Sequence, residues 1–374
     1  MIDNMRIAYI LDWKFGPKSG VAEKILDQIM SWGRLGAEIT LYVSSPTIHK
    51  EEWDALPIRV NVQTYSNYLS RSKARNTLLK AAREEGHEIF YTRFGILNPF
   101  AIRTMKKVPT ILELNTKGLI EYKRRSRLLY LYARLTCKTI LNNSAGICAI
   151  TQEVANEAER IVQRKIHYEV FPNSIDLTRF PKTSAPKNIR PKLVFVGSPG
   201  LAWHGVDRLN DLAIAFPEYD FYVIGPKQMT EAPKNIQFIA EIYGDELTEF
   251  LGDMDVAISS LALDRNLMLE GSPIKTRLYL ALGLPVILGY RDTGISRTSK
   301  YIFEISPSDW PISDNNRNEI RNFVSGWKGL RVPRESIYSI DSQGIEKRRL
   351  DFMLNVVRQR KIKNPNEVGK NDKY

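Results

Sequence analysis

Cysteine is scarce. The chain of 374 residues has two, Cys137 and Cys148. Two thiols make neither a disulfide framework nor a metal-binding spacing, so a stapled scaffold and a zinc centre are excluded. Both read as buried, reduced thiols. No apolar run approaches the length of a membrane span. The opening MIDNMRIAYILDW runs straight into a strand and lacks a signal-peptide pattern. A cytoplasmic protein is the expectation. No acidic cluster reads as a metal site; SDWPISD has the wrong spacing and falls in a late loop. There is no short-period repeat and no recognised nucleic-acid motif. Acid is short relative to base, 42 residues against 54, for a net charge of +12. That balance suits phosphate-rich ligands, an anionic membrane face or nucleic acid.

What is present reads as globular: 43% hydrophobic and 26% charged, in a chain long enough for two domains. RIAYILD, residues 6–12, is a β-branched and aromatic run that suits a buried parallel strand. A loop with Gly and Pro follows, ending at Gly20. Residues 21–35 form an amphipathic helix with Ile25, Ile29 and Trp32 on one face, then AEITLYVSS reads as a strand. IFYTR (89–93) and TILEL (110–114) are further short strands. Strands alternating with helices predict a doubly wound α/β sheet, on which ligands bind at the carboxyl ends of the strands. Arg93, Glu113 and Asn115 fall at those ends and are site candidates. Gly20 could let backbone approach a phosphate, or could simply serve a tight turn.

Residues 119–141 read as one long helix. It carries Lys123, Arg124, Arg125, Arg127 and Arg134 among Leu128, Leu129, Tyr130 and Leu131. A basic, aromatic-bearing face of this kind is either solvated or set against anionic headgroups. TSAPKNIRPK, ending at Lys192, is the clearest linker. After it the pattern repeats: KLVFVGS runs into the loop SPGLAWHG, a helix follows, and then further strands DFYVIGP, IQFIAEI and DVAISSLAL. The domains expected are residues 1–182, a linker 183–192, residues 193–344, a helix 345–360 and a disordered tail 361–374.

The last of those strands leads into EGSPIKTRLYLALGLPVILGYRDT, residues 270–293. Pro273 suits a first helical position. The N–H groups of Gly271, Ser272 and Ile274 would then gather at a helix N-terminus, a ready anion site. Lys275 lies in the same turn, where a cation opposes the helix dipole unless an anion is bound.

Glu270, Ser272, Pro273, Lys275 and ALGLPVI, with PNSID and VFVGS before them, resemble the GT-B glycosyltransferases, nearest glycosyltransferase family 4. The resemblance runs in order from RIAYILD to YRDT. It implies two Rossmann-like doubly wound parallel-sheet domains facing a central cleft, with the final helix crossing back to the first. The implied activity is retaining transfer of a sugar from a nucleotide sugar to a glycan or lipid-linked acceptor, in cell-surface polysaccharide synthesis. No cofactor or metal is implied, since helix N–H groups and cations neutralise the leaving diphosphate.

On this resemblance Glu270 holds sugar hydroxyls and Glu113 and Asn115 face sugar or acceptor, with Arg93 on the acceptor side. Gly20, His204, Ile242, Arg265, Gly271, Ser272, Ile274 and Lys275 bind the donor, Ile242 through its backbone at the base. Three positions depart from the family. Leu278 stands at its second helix Glu, Ser198 and His204 stand at its usual phosphate-binding Arg and Lys, and ELN stands where a His is common. Lys275, Arg277 and Arg265 are left as available cations. Other classes stay open: a non-catalytic nucleotide- or glycan-binding protein, a nucleotide-sugar epimerase, and a nucleic-acid binder invited by the charge. The expected surface partner is the inner face of an anionic membrane, through Lys123–Arg134.

Overall fold

The computed structural model describes residues 5–17, 19–95, 99–229 and 231–363. The chain divides into two compact units: residues 1–171 with 342–374, and residues 172–341. Of the tail expected from residue 361, residues 361–363 continue the C-terminal helix and the rest lies outside the described residues.

The first unit is built on seven parallel strands: β1 (Arg6–Asp12), β2 (Glu38–Pro46), β3 (Val60–Tyr65), β4 (Ile89–Arg93), β5 (Thr110–Leu114), β6 (Gly146–Ala149) and β7 (Tyr168–Val170). Their order across the sheet is 3-2-1-4-5-6-7. Parallel strands must be covered on both faces, which is why β1, β4 and β5 read as continuous apolar runs. The register pairs Arg93 with Glu113, so both sit at the carboxyl edge of neighbouring strands. The helix Gly20–Arg34 lays Ile25, Ile29 and Trp32 on the core. Ser19 caps it, its hydroxyl accepting from the Ala22 N–H. The C-terminal helix Ser342–Lys363 adds Leu350, Phe352, Met353 and Val356 to the same core.

The stretch expected as one helix from residue 119 is two: Gly118–Arg125 and Arg127–Asn143. Ser126 breaks it in an extended conformation and caps the second helix, accepting from the Leu129 N–H.

The second unit has six parallel strands: β8 (Lys192–Val196), β9 (Asp220–Ile224), β10 (Ile236–Ile239), β11 (Val256–Ile258), β13 (Val286–Leu288) and β15 (Ile302–Glu304). Their order is 10-9-8-11-13-15. A two-residue ribbon, β12 (Glu270–Gly271) with β14 (Arg291–Asp292), lies apart. The chain enters this unit at Pro172, upstream of the Pro-rich stretch 183–192. The reason is local bonding. The Asn173 N–H donates to Ser272 Oγ at 2.8 Å, Ile175 bridges to Asp341, and the Leu177 N–H donates to the Asp341 carboxylate at 3.2 Å.

Candidate functional site

The focal helix of the second unit spans Ile274–Ala281. Pro273 is its cap, not its first residue, and its carbonyl accepts from the Thr276 N–H at 3.1 Å. The first-turn N–H groups aimed outward are therefore those of Ile274 and Lys275. Gly271 belongs to the β12 ribbon, where its carbonyl accepts from the Thr293 N–H at 3.1 Å. The Ser272 side chain is committed. Its hydroxyl takes protons from Asn173 N and from Arg277 Nη2, the latter at 2.5 Å.

Arg277 is the cation that the sequence misplaces. It is fully buried and forms a two-pronged pair with Asp292, at 2.9 and 2.8 Å. Its Nε donates to the Asn173 carbonyl at 2.6 Å. Every side of the guanidinium is used, so it offers nothing to a ligand. Arg265 is likewise engaged, by Asp207 at 2.9 and 2.5 Å and by the Ala202 carbonyl at 3.0 Å.

Lys275 is different. Its stem is partly exposed, but its Nζ is sealed and finds no hydrogen-bond partner among the described residues. The amine sits 4.0 Å above the Phe195 ring centroid and 5.7 Å from that of Trp203. Burial pushes its pKa well below the usual lysine range. His204 completes the group. Its ring lies 4.2 Å from Trp203 and 5.2 Å from Phe195, centroid to centroid. It is 2% exposed, and its Nδ1 also finds no partner among the described residues. Burial first, then the charge of Lys275, lowers His204 to about 2, against a small opposing pull from the Ser198 backbone.

The loop is shaped around that imidazole. A Cβ on Gly197 would lie 2.6 Å from His204 Cε1 and 2.7 Å from Nδ1. Gly205 follows with φ +72°, a conformation that turns the chain into the next helix. Lys275, in the first turn of the focal helix, and His204, at the end of the short turn Ala202–His204, thus bring two buried nitrogens with no hydrogen-bond partner among the described residues against the same two rings. Trp203 and Phe195 were missed in the sequence. The aromatic–His–Gly string after VFVGS was the available signal.

Glu270 is 4% exposed and its carboxylate is paired with the half-exposed Arg291 across the ribbon. Ile242 is half-buried in the loop after β10, and Leu278 is half-buried on the focal helix. An Asp-x-Asp string that the sequence reading passed over, Asp253–Met254–Asp255, does occur. Asp253 pairs with Lys192. Asp255 accepts from Asn188 Nδ2, the Lys192 N–H and the Gly329 N–H, each at 2.9 Å. These carboxylates brace the sheet.

In the first unit, Glu113 is 4% exposed. Lys24 Nζ donates to its carboxylate at 2.5 Å, and Arg349 Nη1 lies 3.9 Å away. Arg349 also donates to Glu346 at 2.9 Å and to the Tyr91 hydroxyl at 2.9 Å. Burial alone would raise Glu113, but Lys24, then Arg93 and Arg349, outweigh it and hold the carboxyl at about 2. Glu113 is thus buried and ion-paired at the carboxyl end of β5, with Lys24 and Arg349 around its carboxylate. Arg93, half-buried, stacks 5.7 Å from the Trp13 ring. Asn115 is half-buried just past β5, and Gly20 is exposed with nothing within 4 Å of its Cβ position.

A pH effect follows. An unfolded Glu titrates near 4.3, so between there and about pH 2 the unfolded chain binds the extra proton. Stability is present above that window and is lost as pH falls through it. We expect a loss on the order of 1–3 kcal/mol from this residue. Urea unfolding at pH 6 and pH 3 measures it, and Glu113→Gln should flatten the difference.

No protein-family model and no curated protein matches this chain. Solved structures do. An α-glucosyltransferase in complex with UDP and a DNA containing an HMU base is 14% identical over 94% of this chain and 100% of its own, with TM-score 0.60. The lipopolysaccharide outer core galactosyltransferase WaaB is 12% identical over 94% and 99%, with TM-score 0.62. Anabaena HepE in complex with UDP-glucose is 14% identical over 95% and 98%, with TM-score 0.60. With the two parallel sheets above, these likenesses define the fold as that of the GT-B glycosyltransferases, two Rossmann-like domains.

Proposed function

We propose that this protein is a retaining glycosyltransferase of the family 4 kind, using a UDP-sugar donor and no metal ion. Its acceptor is a glycan or lipid-linked sugar of cell-surface polysaccharide synthesis. The observation that carries the reading is the pair of buried nitrogens with no hydrogen-bond partner among the described residues, Lys275 Nζ in the first turn of the focal helix and His204 Nδ1 beside the same aromatic rings. Like-fold proteins bind UDP or UDP-glucose, and a diphosphate is the ligand those nitrogens fit.

In this reading the diphosphate draws a proton onto Lys275 and takes hydrogen bonds from the first-turn N–H groups. That charge neutralises the leaving group where Mg²⁺ would otherwise serve. Glu270, paired with Arg291, is the acceptor for sugar hydroxyls. Ile242 offers backbone to the base. With Leu278 in place of an acid, the ribose is held by other groups. On the first unit, Arg93 and Asn115 are the acceptor-side groups, and Glu113 holds the buried charge beside them.

Calorimetry with UDP and UDP-glucose tests the assignment. Glu270→Gln should bind UDP like the parent and lose roughly tenfold for the intact donor, the scale of one charge-assisted hydrogen bond. Donor turnover should survive EDTA. Equal affinity of parent and variant for UDP-glucose, with turnover unchanged, would remove Glu270 from the site. Turnover abolished by EDTA and restored by Mn²⁺ would remove metal independence.

A further inference from the structure

The helix Arg127–Asn143 turns one apolar side inward, through Ala133, Cys137, Ile140 and Leu141. Its other side is apolar too. Leu128 is 80% exposed, Leu131 51%, Tyr132 42% and Leu135 75%. Their spacing, i, i+3, i+4 and i+7, sets them in one stripe along the helix. An isolated exposed Leu needs no explanation, but four large apolar residues on one stripe do. The stripe has a charged edge. Arg127, Arg134 and Lys138 are exposed and share one flank of it, while Lys123 and Arg124 stand exposed on the preceding helix.

We propose that this face is a docking surface for an anionic lipid bilayer, with the helix lying in the headgroup plane. Leu128, Leu131, Tyr132 and Leu135 would enter the acyl boundary, and the basic flank would meet the phosphates. That division of labour is the one an interfacial helix requires. Charge separates the possible occupants. A second copy packed antiparallel on the stripe by a two-fold axis would bring the basic flanks toward one another, which is unfavourable. A nucleic-acid backbone would satisfy the arginines and leave four apolar side chains without gain. An anionic membrane satisfies both sets. The surface needs no nucleotide sugar, so this inference stands or falls apart from the transfer reading.

Vesicle flotation of the full chain tests it. The expected result is binding to phosphatidylglycerol–phosphatidylcholine vesicles, little binding to phosphatidylcholine alone, and release at high salt as the Debye length shortens. The pair Leu128→Ser with Leu135→Ser should lower partitioning at least about tenfold, since each buried CH₂ contributes to insertion. The pair Arg127→Glu with Arg134→Glu should do the same, as each basic residue near such a surface is worth about fivefold. Both pairs are surface changes, and unchanged melting temperatures would show that they fold. Partitioning of the leucine pair equal to the parent's would overturn the proposal. So would equal binding to neutral vesicles, release from anionic vesicles by duplex DNA with no effect of the leucine changes, or a dimer that the leucine pair converts to monomer.

Discussion

Lys275→Met should raise the melting temperature of the free protein and weaken UDP binding at least about tenfold. The two effects share one cause. In the free protein the Lys275 amine is buried without a hydrogen-bond partner among the described residues. An unsatisfied buried polar group costs about 1–3 kcal/mol. Methionine keeps the length, packs well on Phe195 and Trp203, and has nothing to desolvate. A net gain of about 1 kcal/mol would appear as a rise of about 2–4 °C in a unit of this size.

The pH dependence has a definite sign. Burial lowers the folded pKa of Lys275 below the unfolded value near 10.4, so between the two the unfolded chain binds the extra proton. Stability from this residue therefore rises with pH across that window, and Lys275→Met removes the rise. UDP acts in the opposite sense. Its diphosphate favours the ammonium, so binding takes up a proton and weakens as pH rises. His204, lowered to about 2, stays neutral and adds no proton uptake near neutrality. Calorimetry in buffers of different ionisation heat reads the proton directly. UDP binding by Lys275→Met that matches the parent, with no proton uptake in either, would show that the cage does not hold the diphosphate.

Much of the architecture was legible because burial on both faces leaves a strong trace. The strands Arg6–Asp12, Ile89–Arg93 and Thr110–Leu114 match the apolar runs residue for residue. The edge strand Val60–Tyr65 was not read, since it is half-buried throughout and mixes Asn, Gln and Thr with valine. The break at Ser126 was hidden by helical periodicity that continues across it, although a serine ahead of an apolar run is a cap signal. At the site the residue types were legible and their partners were not. Lys275 and Arg277 lie two positions apart and read alike as free cations. A helix sends such neighbours to opposite faces. One meets Phe195 on β8 and Trp203 in the loop after it, and the other meets Asp292 on β14. Those partners come from distant sequence, which periodicity cannot report.

Arg277→Ala should come close to unfolding the second unit. The guanidinium is fully buried and links four groups: both oxygens of Asp292, the Asn173 carbonyl and the Ser272 hydroxyl. Removing it leaves the Asp292 carboxylate, 8% exposed, with the Gly294 N–H at 2.8 Å as a remaining donor. Breaking a buried pair from one side costs about 3–5 kcal/mol, a large part of a typical stability of about 5–15 kcal/mol. The pair itself need not be worth that much, because most of the cost is the stranded charge. Arg277→Met with Asp292→Leu should therefore be less destabilised than either single change, a positive coupling that a double-mutant cycle reads. Arg277→Lys keeps the charge but loses the fork, so it cannot hold Asp292, Asn173 and Ser272 together. That variant should fold and still bind UDP more weakly, because Ser272 and Asn173 set where the focal helix begins. Urea unfolding of these five variants, the two single changes of the cycle included, and a UDP titration of Arg277→Lys measure both effects. An Arg277→Ala protein that unfolds at the parent's urea concentration would show that this pair does not fix the start of the helix.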